Sequence, residues 1–370
     1  MKLRPWFAAL LLTAFATSSM AKTETLYITT LDPARMGILV ADFDSQTGVL
    51  SAPKMVVEAD NPSHFTFSAD GTHLYVCNSG TPGGVSAYAV DKKTHALKLL
   101  NFKQSKGRGP SYVSVDKSGH YVLDANYGGG FVEIYSLAKD GSLDQQTAFV
   151  EHQGSSVNPE RQTKPYAHWF RTDPSGKFAV AMDLGTDQLV IYKFDAKTGA
   201  LAPNDPPATK VEGGMGPRHL GFHPNGRWAY GTAEMGNKVM AFRWDDAKGT
   251  MTQFQTVDTL SADFTGKNTT AEIMVRPDGK FLYASNRGDD SIVVYSIDAK
   301  TGELTLKQRT PSRGKIPRYF TFDPSGKWLI VSNQDSANIT VFSIDEKTGE
   351  LAPKGEPVPV GKPAGVVFLR

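Results

Sequence analysis

The feature that most constrains this chain is a unit that returns again and again along it. In Pro217 to Phe242, PRHLGFHPNGRWAYGTAEMGNKVMAF, a proline leads into an apolar strand pattern, and the chain turns at Asn225-Gly226. A second strand, Trp228 to Ala233, stops at Glu234-Met235-Gly236, and a third runs from Lys238 to Phe242. The same order recurs with heads at Pro62, Pro110, Pro165 and Pro317, and without its proline at Thr269. A second series of turns, at Gly48, His95, Gly141, Gly199, Gly249, Gly302 and Gly349, sets the number of units at seven.

One such meander has nowhere to bury its apolar face. Seven units of about fifty residues, each with about four short strands, predict an all-β fold, a seven-bladed β-propeller of four-stranded blades. The chain ends predict how the ring closes. Pro363 to Arg370 has the form of a first strand with no second or third behind it, while Thr25 to Thr30 and Ile38 to Phe43 precede the turn at Gly48. The ring is therefore expected to be closed by the C-terminal strand together with the N-terminal strands, which hides two open sheet edges.

Length alone suggests two or three domains for 370 residues, but a propeller takes residues 22–370 as one. Residues 1–21 stand apart. Lys2 and Arg4 precede the apolar run Trp6 to Leu12, and Ser19-Met20-Ala21 is a small-x-small cleavage site. The run is too short for a membrane span and reads as a removable secretory signal, which places the mature protein in the periplasm or outside the cell, with no membrane span after signal removal. The slight excess of 40 basic over 38 acidic residues lies in that leader. A mature chain near neutrality, without a polybasic run, gives no electrostatic reason to expect nucleic acid as a partner. The single cysteine, Cys77, sits inside a strand and reads as a small buried hydrophobe.

In a four-stranded blade the lead-in to the first strand and the turn after the second lie at one end. The side chains that can do chemistry gather at those positions: His168, Arg218, His219, Glu272 and Arg318 at the lead-in, Glu234, Asn286 and Arg287 after the second strand. The two longest gaps between repeats add loops at the same end, one containing Asn158-Pro159-Glu160-Arg161-Gln162 and the other running from Asp258 to Asn268. Long loops on a rigid scaffold carry binding functions. Each residue also has a plainer reading. An Asn closing the second strand in several blades suits turn capping, Arg318 could pair with a neighbouring blade, and His223 reads as a buried, hydrogen-bonded histidine.

The sequence contains no His-x-Glu, His-Glu-x-x-His or paired-cysteine spacing, so neither a metal nor a cofactor is expected. Gly128-Gly129-Gly130 has no helix behind it and is a turn. No Gly-x-Ser-x-Gly elbow points to covalent serine catalysis.

At Asn158-Pro159-Glu160-Arg161-Gln162, Pro165-Tyr166-Ala167-His168, Asp183-Leu184-Gly185-Thr186-Asp187, Gly216-Pro217-Arg218-His219, Thr270-Ala271-Glu272-Ile273, Ala284-Ser285-Asn286-Arg287-Gly288 and Ile316-Pro317-Arg318 the sequence resembles the seven-bladed propeller lactonases. That family includes propeller-type 6-phosphogluconolactonases and periplasmic gluconolactonases, and is similar to the carboxy-cis,cis-muconate lactonizing enzymes. The resemblance implies catalytic roles for His168, Glu234, Arg218 and Arg287, with Glu160, Arg161 and Glu272 close by as substrate contacts; His219, Asn286 and Arg318, at the same mouth, complete the expected substrate contacts. It departs from the family at Tyr166, where the motif carries His.

Hydrolysis of a sugar lactone needs a base for water, a donor for the carbonyl oxygen and a proton for the leaving alkoxide. Glu234 or His168 fits the proton roles, and Arg218 and Arg287 fit the oxyanion or the product carboxylate. The leader favours an unphosphorylated aldonolactone such as glucono-1,5-lactone as the small-molecule partner. A 6-phosphogluconolactonase, a carboxymuconate-type lactonizing cyclase and a non-catalytic binding propeller are the alternatives.

Overall fold

The computed structural model describes residues 23–369, so the secretory signal expected at residues 1–21 lies outside the described residues. The described chain forms seven antiparallel sheets, and no helix occurs among the described residues. Blade 1 is the closing blade: Pro363–Phe368 pairs with Thr23–Thr30, which pairs with Gly37–Asp44, and the outer strand is split into Val49–Leu50 and Lys54–Glu58. Blades 2 to 7 each run in simple order outward from a first strand. Those first strands are Pro62–Phe67, Pro110–Val115, Ala167–Thr172, Pro217–Phe222, Thr269–Val275 and Pro317–Phe322. In blade 4 the strand begins two residues after the head proline, Pro165.

Burial explains the strand sequences. The second strands Tyr121–Asn126, Phe178–Asp183, Trp228–Ala233 and Trp328–Asn333 are buried along their whole length, because a neighbouring blade covers each face of the sheet. The outer strands, such as Leu351–Pro359, carry mostly exposed residues. Neighbouring blades are clasped by a repeated contact. Tyr75 donates its hydroxyl hydrogen bond to the Gly141 carbonyl (3.0 Å), Tyr230 to Gly302 (2.8 Å) and Tyr283 to Gly349 (2.6 Å). At Gly302, with φ 80°, a Cβ would collide with the Trp228 ring of the preceding blade, so both backbone and packing demand glycine there.

The closing register pairs Leu26 with Phe368, Tyr27 with Val367 and Ile28 with Val366. Phe43 packs edge-on against Phe368 (5.4 Å) and Trp328 (6.1 Å), tying blade 1 to blade 7. On the other side Thr29 donates to the Ser63 carbonyl of blade 2 (3.1 Å).

A further regularity positions the functional end. In every blade the first strand bulges just after its head, where it gains one residue on the second strand. The register shifts fall between Pro62 and Phe65, Pro110 and Tyr112, Ala167 and Trp169, Pro217 and Leu220, Thr270 and Ile273, Pro317 and Tyr319, and Pro363 and Gly365. A bulge re-aims side chains and is common beside functional sites. Here it interrupts strict alternation, so Arg218 and His219, adjacent in sequence, are both buried, Arg218 in ion-pair range of Glu234 of its own blade and His219 hydrogen-bonded to Glu272 of the next.

Blade 3 also buries an acid pair. Asp124 and Glu133 face one another across the second and third strands, and neither is accessible to solvent. Cys77 of blade 2 is fully buried and donates weakly to Asp124 Oδ1 (3.6 Å), while Ser105 and Gln146 donate to Glu133. Burial, reinforced by Glu133, pushes the Asp124 carboxyl well up. A folded pKa above the unfolded one means that stability is full below the carboxylate range and is lost as pH rises towards the folded value. Asp124→Asn removes that loss and can donate an amide hydrogen towards Glu133. The variant is expected to unfold at a higher temperature than wild type at pH 8, with the gap shrinking as the pH approaches 4, measured by thermal unfolding across that range.

Candidate active site

Glu234 stands at the turn after the second strand of blade 5, its N–H donating to the Gly216 carbonyl (2.8 Å). Three guanidinium groups from different segments converge on its carboxylate. Arg161 Nη2, from the long loop before blade 4, lies 2.8 Å from Oε1, and Arg287 Nη2, from blade 6, lies 2.9 Å from Oε2. Arg218 Nε, from the bulge of blade 5, lies 3.1 Å from Oε2, within ion-pair range but not aligned for a hydrogen bond. Arg218 Nη1 and Arg287 Nε are buried without a protein acceptor. Arg318, half-buried on blade 7, adds a fourth guanidinium to the same field.

The charges are unequal, and the proton equilibria follow. Burial, then the neighbouring Arg287, pulls Arg218 down to about 9 and Arg318 to about 10. Burial alone would raise Glu234, but Arg287 and Arg218 outweigh it and hold the carboxyl well below the usual range. A carboxylate so held is a poor base. It orients the guanidiniums and leaves donors over for another anion.

Beside this cluster the channel is lined by rings. The bulge positions of the first strands carry Ser63, Ser111, His168, Arg218, Ala271, Arg318 and Ala364, and the next positions carry His64, Tyr112, Trp169, His219, Glu272, Tyr319 and Gly365. His64 stacks on Tyr112 (centroids 4.0 Å), and Tyr112 meets His219 edge-on (5.2 Å). His219 in turn meets His168 (5.0 Å), while Tyr127 packs against the other side of His168 (5.4 Å). His219 Nδ1 lies 3.1 Å from both oxygens of Glu272. Burial, followed by Arg218, holds His168 and His219 well below the ordinary histidine range, so both are neutral at pH 7. His168 Nδ1 and His219 Nε2 are buried and unpartnered.

The loop that brings Arg161 is built, not draped. Asn158 Oδ1 accepts the N–H groups of Glu160 (3.0 Å) and Arg161 (2.9 Å), a local Asx turn. Fully buried Gln162 donates to the Leu184 carbonyl (2.9 Å) and to Asp187 (2.7 Å), and Asp187 also accepts from Gly214 (2.7 Å) and Gly216 (2.6 Å). Tyr127 stacks at a tilt on Tyr166 (4.8 Å), with Lys164 Nζ over the Tyr166 ring (5.4 Å).

The structure thus brings together His168, Glu234, Arg218, Arg287, Arg161, His219, Glu272 and Arg318. It leaves two expected contacts outside. Glu160 is exposed, its backbone serving the Asx turn. Asn286 is a turn cap, donating to the Thr259 carbonyl (3.1 Å) and Ser291 (3.2 Å). His223 is hydrogen-bonded to Gly279 (2.8 Å) at the opposite end, in keeping with its plain reading. Sequence reasoning passed over Tyr127, Gln162, Asp187, His64, Tyr112 and Tyr319. The signal for Tyr127 is its place as the first residue after a second strand, Tyr121–Asn126, the position that Glu234 holds in its own blade. Among the described residues no group of three or more His, Cys, Asp or Glu is placed to hold a metal ion. A cleft of about 180 Å³ bounded by Val150, His152, Tyr192 and Pro207 shares no lining residue with the ion network.

Because Glu234 is the counterion for three guanidiniums, Glu234→Gln leaves them without an anion. It is expected to cost about 3–5 kcal/mol in stability, measured by chemical denaturation at pH 7. An unchanged midpoint would mean that the guanidiniums do not depend on Glu234.

Residues 25–368 match the family described as Lactonase, 7-bladed beta-propeller. A 6-phosphogluconolactonase of Bacillus subtilis (strain 168) is 36% identical over 288 residues, covering 78% of this chain and 81% of that protein. The periplasmic gluconolactonase PpgL of Pseudomonas aeruginosa superposes with a TM-score of 0.90 at 32% identity, covering 94% of this chain and 99% of that one. A Lactobacillus plantarum protein gives 0.88 at 30%, covering 94% and 100%. With the family match over nearly the whole described chain and relatives of this identity and coverage, the chain belongs to the seven-bladed β-propeller lactonases, enzymes that open lactone rings by hydrolysis.

Proposed function

We propose that the protein hydrolyses an aldonolactone such as glucono-1,5-lactone to the aldonic acid, and that it does so in the periplasm. The observation that carries the reading is the pairing of a cationic site with donors to spare and a neutral imidazole beside it. Water attacks the lactone carbonyl carbon as His168 takes one of its protons. The carbonyl oxygen becomes an oxyanion, which Arg218 Nη1 and Arg287 Nε are free to receive. When the ring C–O bond breaks, His168 returns that proton to the leaving alkoxide; the new carboxylic acid gives up its remaining proton to solvent, and the product is a carboxylate in a field of guanidiniums. Glu234 takes no proton in this scheme, because Arg287 and Arg218 keep it ionised. The periplasmic part rests on the leader at residues 1–21 and on the likeness to a neighbour named a periplasmic gluconolactonase.

A second reading, hydrolysis of a 6-phosphorylated lactone, draws on Arg161, whose side chain is 42% exposed, and on Lys164 at the same loop. Both can meet an anionic substituent, and the Bacillus subtilis relative is named for that activity. Proton release from glucono-1,5-lactone and from its 6-phosphate, in weak buffer with purified mature protein, separates the two. Faster hydrolysis of the unphosphorylated lactone is expected. Arg287→Ala is expected to lower kcat/KM by about 100- to 1000-fold. Acceleration of neither lactone by wild type would overturn the proposal.

A further inference from the structure

Three of the four guanidiniums at the mouth are engaged by Glu234, and the fourth is not. Arg161, Arg218 and Arg287 stand 2.8, 3.1 and 2.9 Å from its carboxylate oxygens. Among the described residues Arg318 makes neither a hydrogen bond nor an ion pair. The enclosed nitrogens of the cluster belong to Arg218 and Arg287, whereas those of half-buried Arg318 are reached by solvent. One fixed carboxylate therefore faces four guanidiniums. Asp335, exposed on the turn after the second strand of blade 7, adds to the field at Arg318 without coming within ion-pair range.

The backbone beneath Arg318 is closely held. Ile316, two residues before it, has φ at 58°, in the left-handed region where a β-branched side chain is strained. Blades 3 and 5 carry glycine at the equivalent place, Gly109 and Gly216, with φ 80° and 63°. Ile316 is fixed from both sides. Its N–H donates to Asp290 Oδ1 (2.7 Å), and its carbonyl accepts from the Gln334 N–H (3.0 Å). The start of the strand that carries Arg318 is thus ordered before any ligand arrives, which lowers the cost of binding one.

Hydrolysis changes what this guanidinium can meet. A lactone carbonyl carbon carries two oxygens, and the ring oxygen leaves it as a hydroxyl when the ring opens. The acid that results holds the former carbonyl oxygen, which Arg218 Nη1 and Arg287 Nε receive, and a second oxygen that came from water. That water is activated at His168, and Arg318 is one of the charges that act on His168. The neutral lactone offers Arg318 no anion, and the product carboxylate does.

We propose that Arg318 is a carboxylate-binding residue that retains the aldonate product, so that the acid formed competes with the lactone and holds the enzyme back. This rests on the reading of the protein as an aldonolactone hydrolase. A guanidinium meets the two oxygens of a carboxylate with a fork of N–H groups. It also stays charged at neutral pH, since burial, then Arg287, pull Arg318 down only to about 10. Repulsion among the four guanidiniums relaxes when a carboxylate enters, so the site favours the anion over the neutral ring that it opens. Where aldonate accumulates, hydrolysis slows without a separate regulatory site.

The test uses gluconate with the full mature chain. Gluconate is expected to inhibit hydrolysis of glucono-1,5-lactone competitively, and Arg318→Met to raise its inhibition constant by about 10- to 100-fold while the lactone KM moves by less than about threefold. Thermal unfolding gives a readout independent of turnover. Gluconate is expected to raise the wild-type midpoint with its concentration, while sorbitol, a polyol without the carboxylate, leaves it in place. Arg318→Met, relieved of one repelled charge, is expected to unfold at a higher temperature than wild type without gluconate and to show no rise with it. Arg318→Lys, which keeps the charge but not the fork, is expected to keep part of the rise, and it stands in if the Met variant does not fold. A wild-type protein that hydrolyses the lactone but is neither inhibited nor stabilised by gluconate would overturn the proposal and leave the hydrolase reading intact. Stabilisation by sodium chloride equal to that by gluconate would overturn it too, and so would a full gluconate shift in Arg318→Met. A shift lost with Arg318 supports the carboxylate site even where no lactone is hydrolysed, so failure of the hydrolase reading is seen separately.

Discussion

The whole arrangement depends on a short run of backbone hydrogen bonds, those between Thr23–Thr30 and Pro363–Phe368. They join residues more than three hundred positions apart, and such a contact is entropically expensive to form from an unfolded chain. What they secure is a ring. The site is assembled from separate blades: Tyr127 and Tyr112 from blade 3, His168 from blade 4, Arg218, His219 and Glu234 from blade 5, Glu272 and Arg287 from blade 6, Arg318 from blade 7 and His64 from blade 2. Four guanidiniums repel one another, and only a scaffold closed on itself holds them together against that repulsion. The apolar packing of Phe43 between Phe368 and Trp328 supports the closure from the side.

Within the ring, function arises from side-chain divergence on a repeated backbone. All seven first strands carry the same bulge, and the same two positions follow it. In blade 1 those positions are Ala364 and Gly365, too small to do chemistry, and in blade 5 they are Arg218 and His219. Large rings at the second position, His64, Tyr112, Trp169 and Tyr319, fill the channel and exclude water from the histidines. That exclusion is what depresses the imidazole pKa values. The propeller therefore supplies a desolvated floor, and the loops at its mouth supply the exposed charge of Arg161.

Much of the fold is legible in the sequence, because turn glycines and head prolines recur at fixed spacing and the unmatched last strand announces the closure. The bulges are not legible. Nothing in Pro217-Arg218-His219-Leu220 says that alternation is interrupted, and without the bulge one of Arg218 and His219 would point into the neighbouring blade. Partnerships across the channel are hidden for a similar reason. His64 and Tyr112 lie far from His168 in sequence, and their common register emerges only when the blades are superposed. Glu160 and Asn286 show the opposite failure. Both sit inside stretches that resemble the family, yet one serves its loop through the backbone and the other caps a turn, so membership of a motif did not place either side chain at the ion cluster.

The two buried glutamates illustrate how one channel sets opposite proton affinities. Glu234 and Glu272 are each only a few per cent exposed, and burial pushes both carboxyls up. At Glu234 two guanidiniums in direct ionic contact and a third on the other oxygen overwhelm that effect, and the group stays charged. At Glu272 the nearest partner is a neutral imidazole, Arg218 acts only from a distance, and the balance moves to about 7. Separation of two carboxyl environments is how a single site keeps one group as a fixed anion while the other exchanges protons at working pH. The assignment of roles follows from which neighbour each carboxyl touches, so exchanging guanidinium for imidazole beside either one would exchange what it can do.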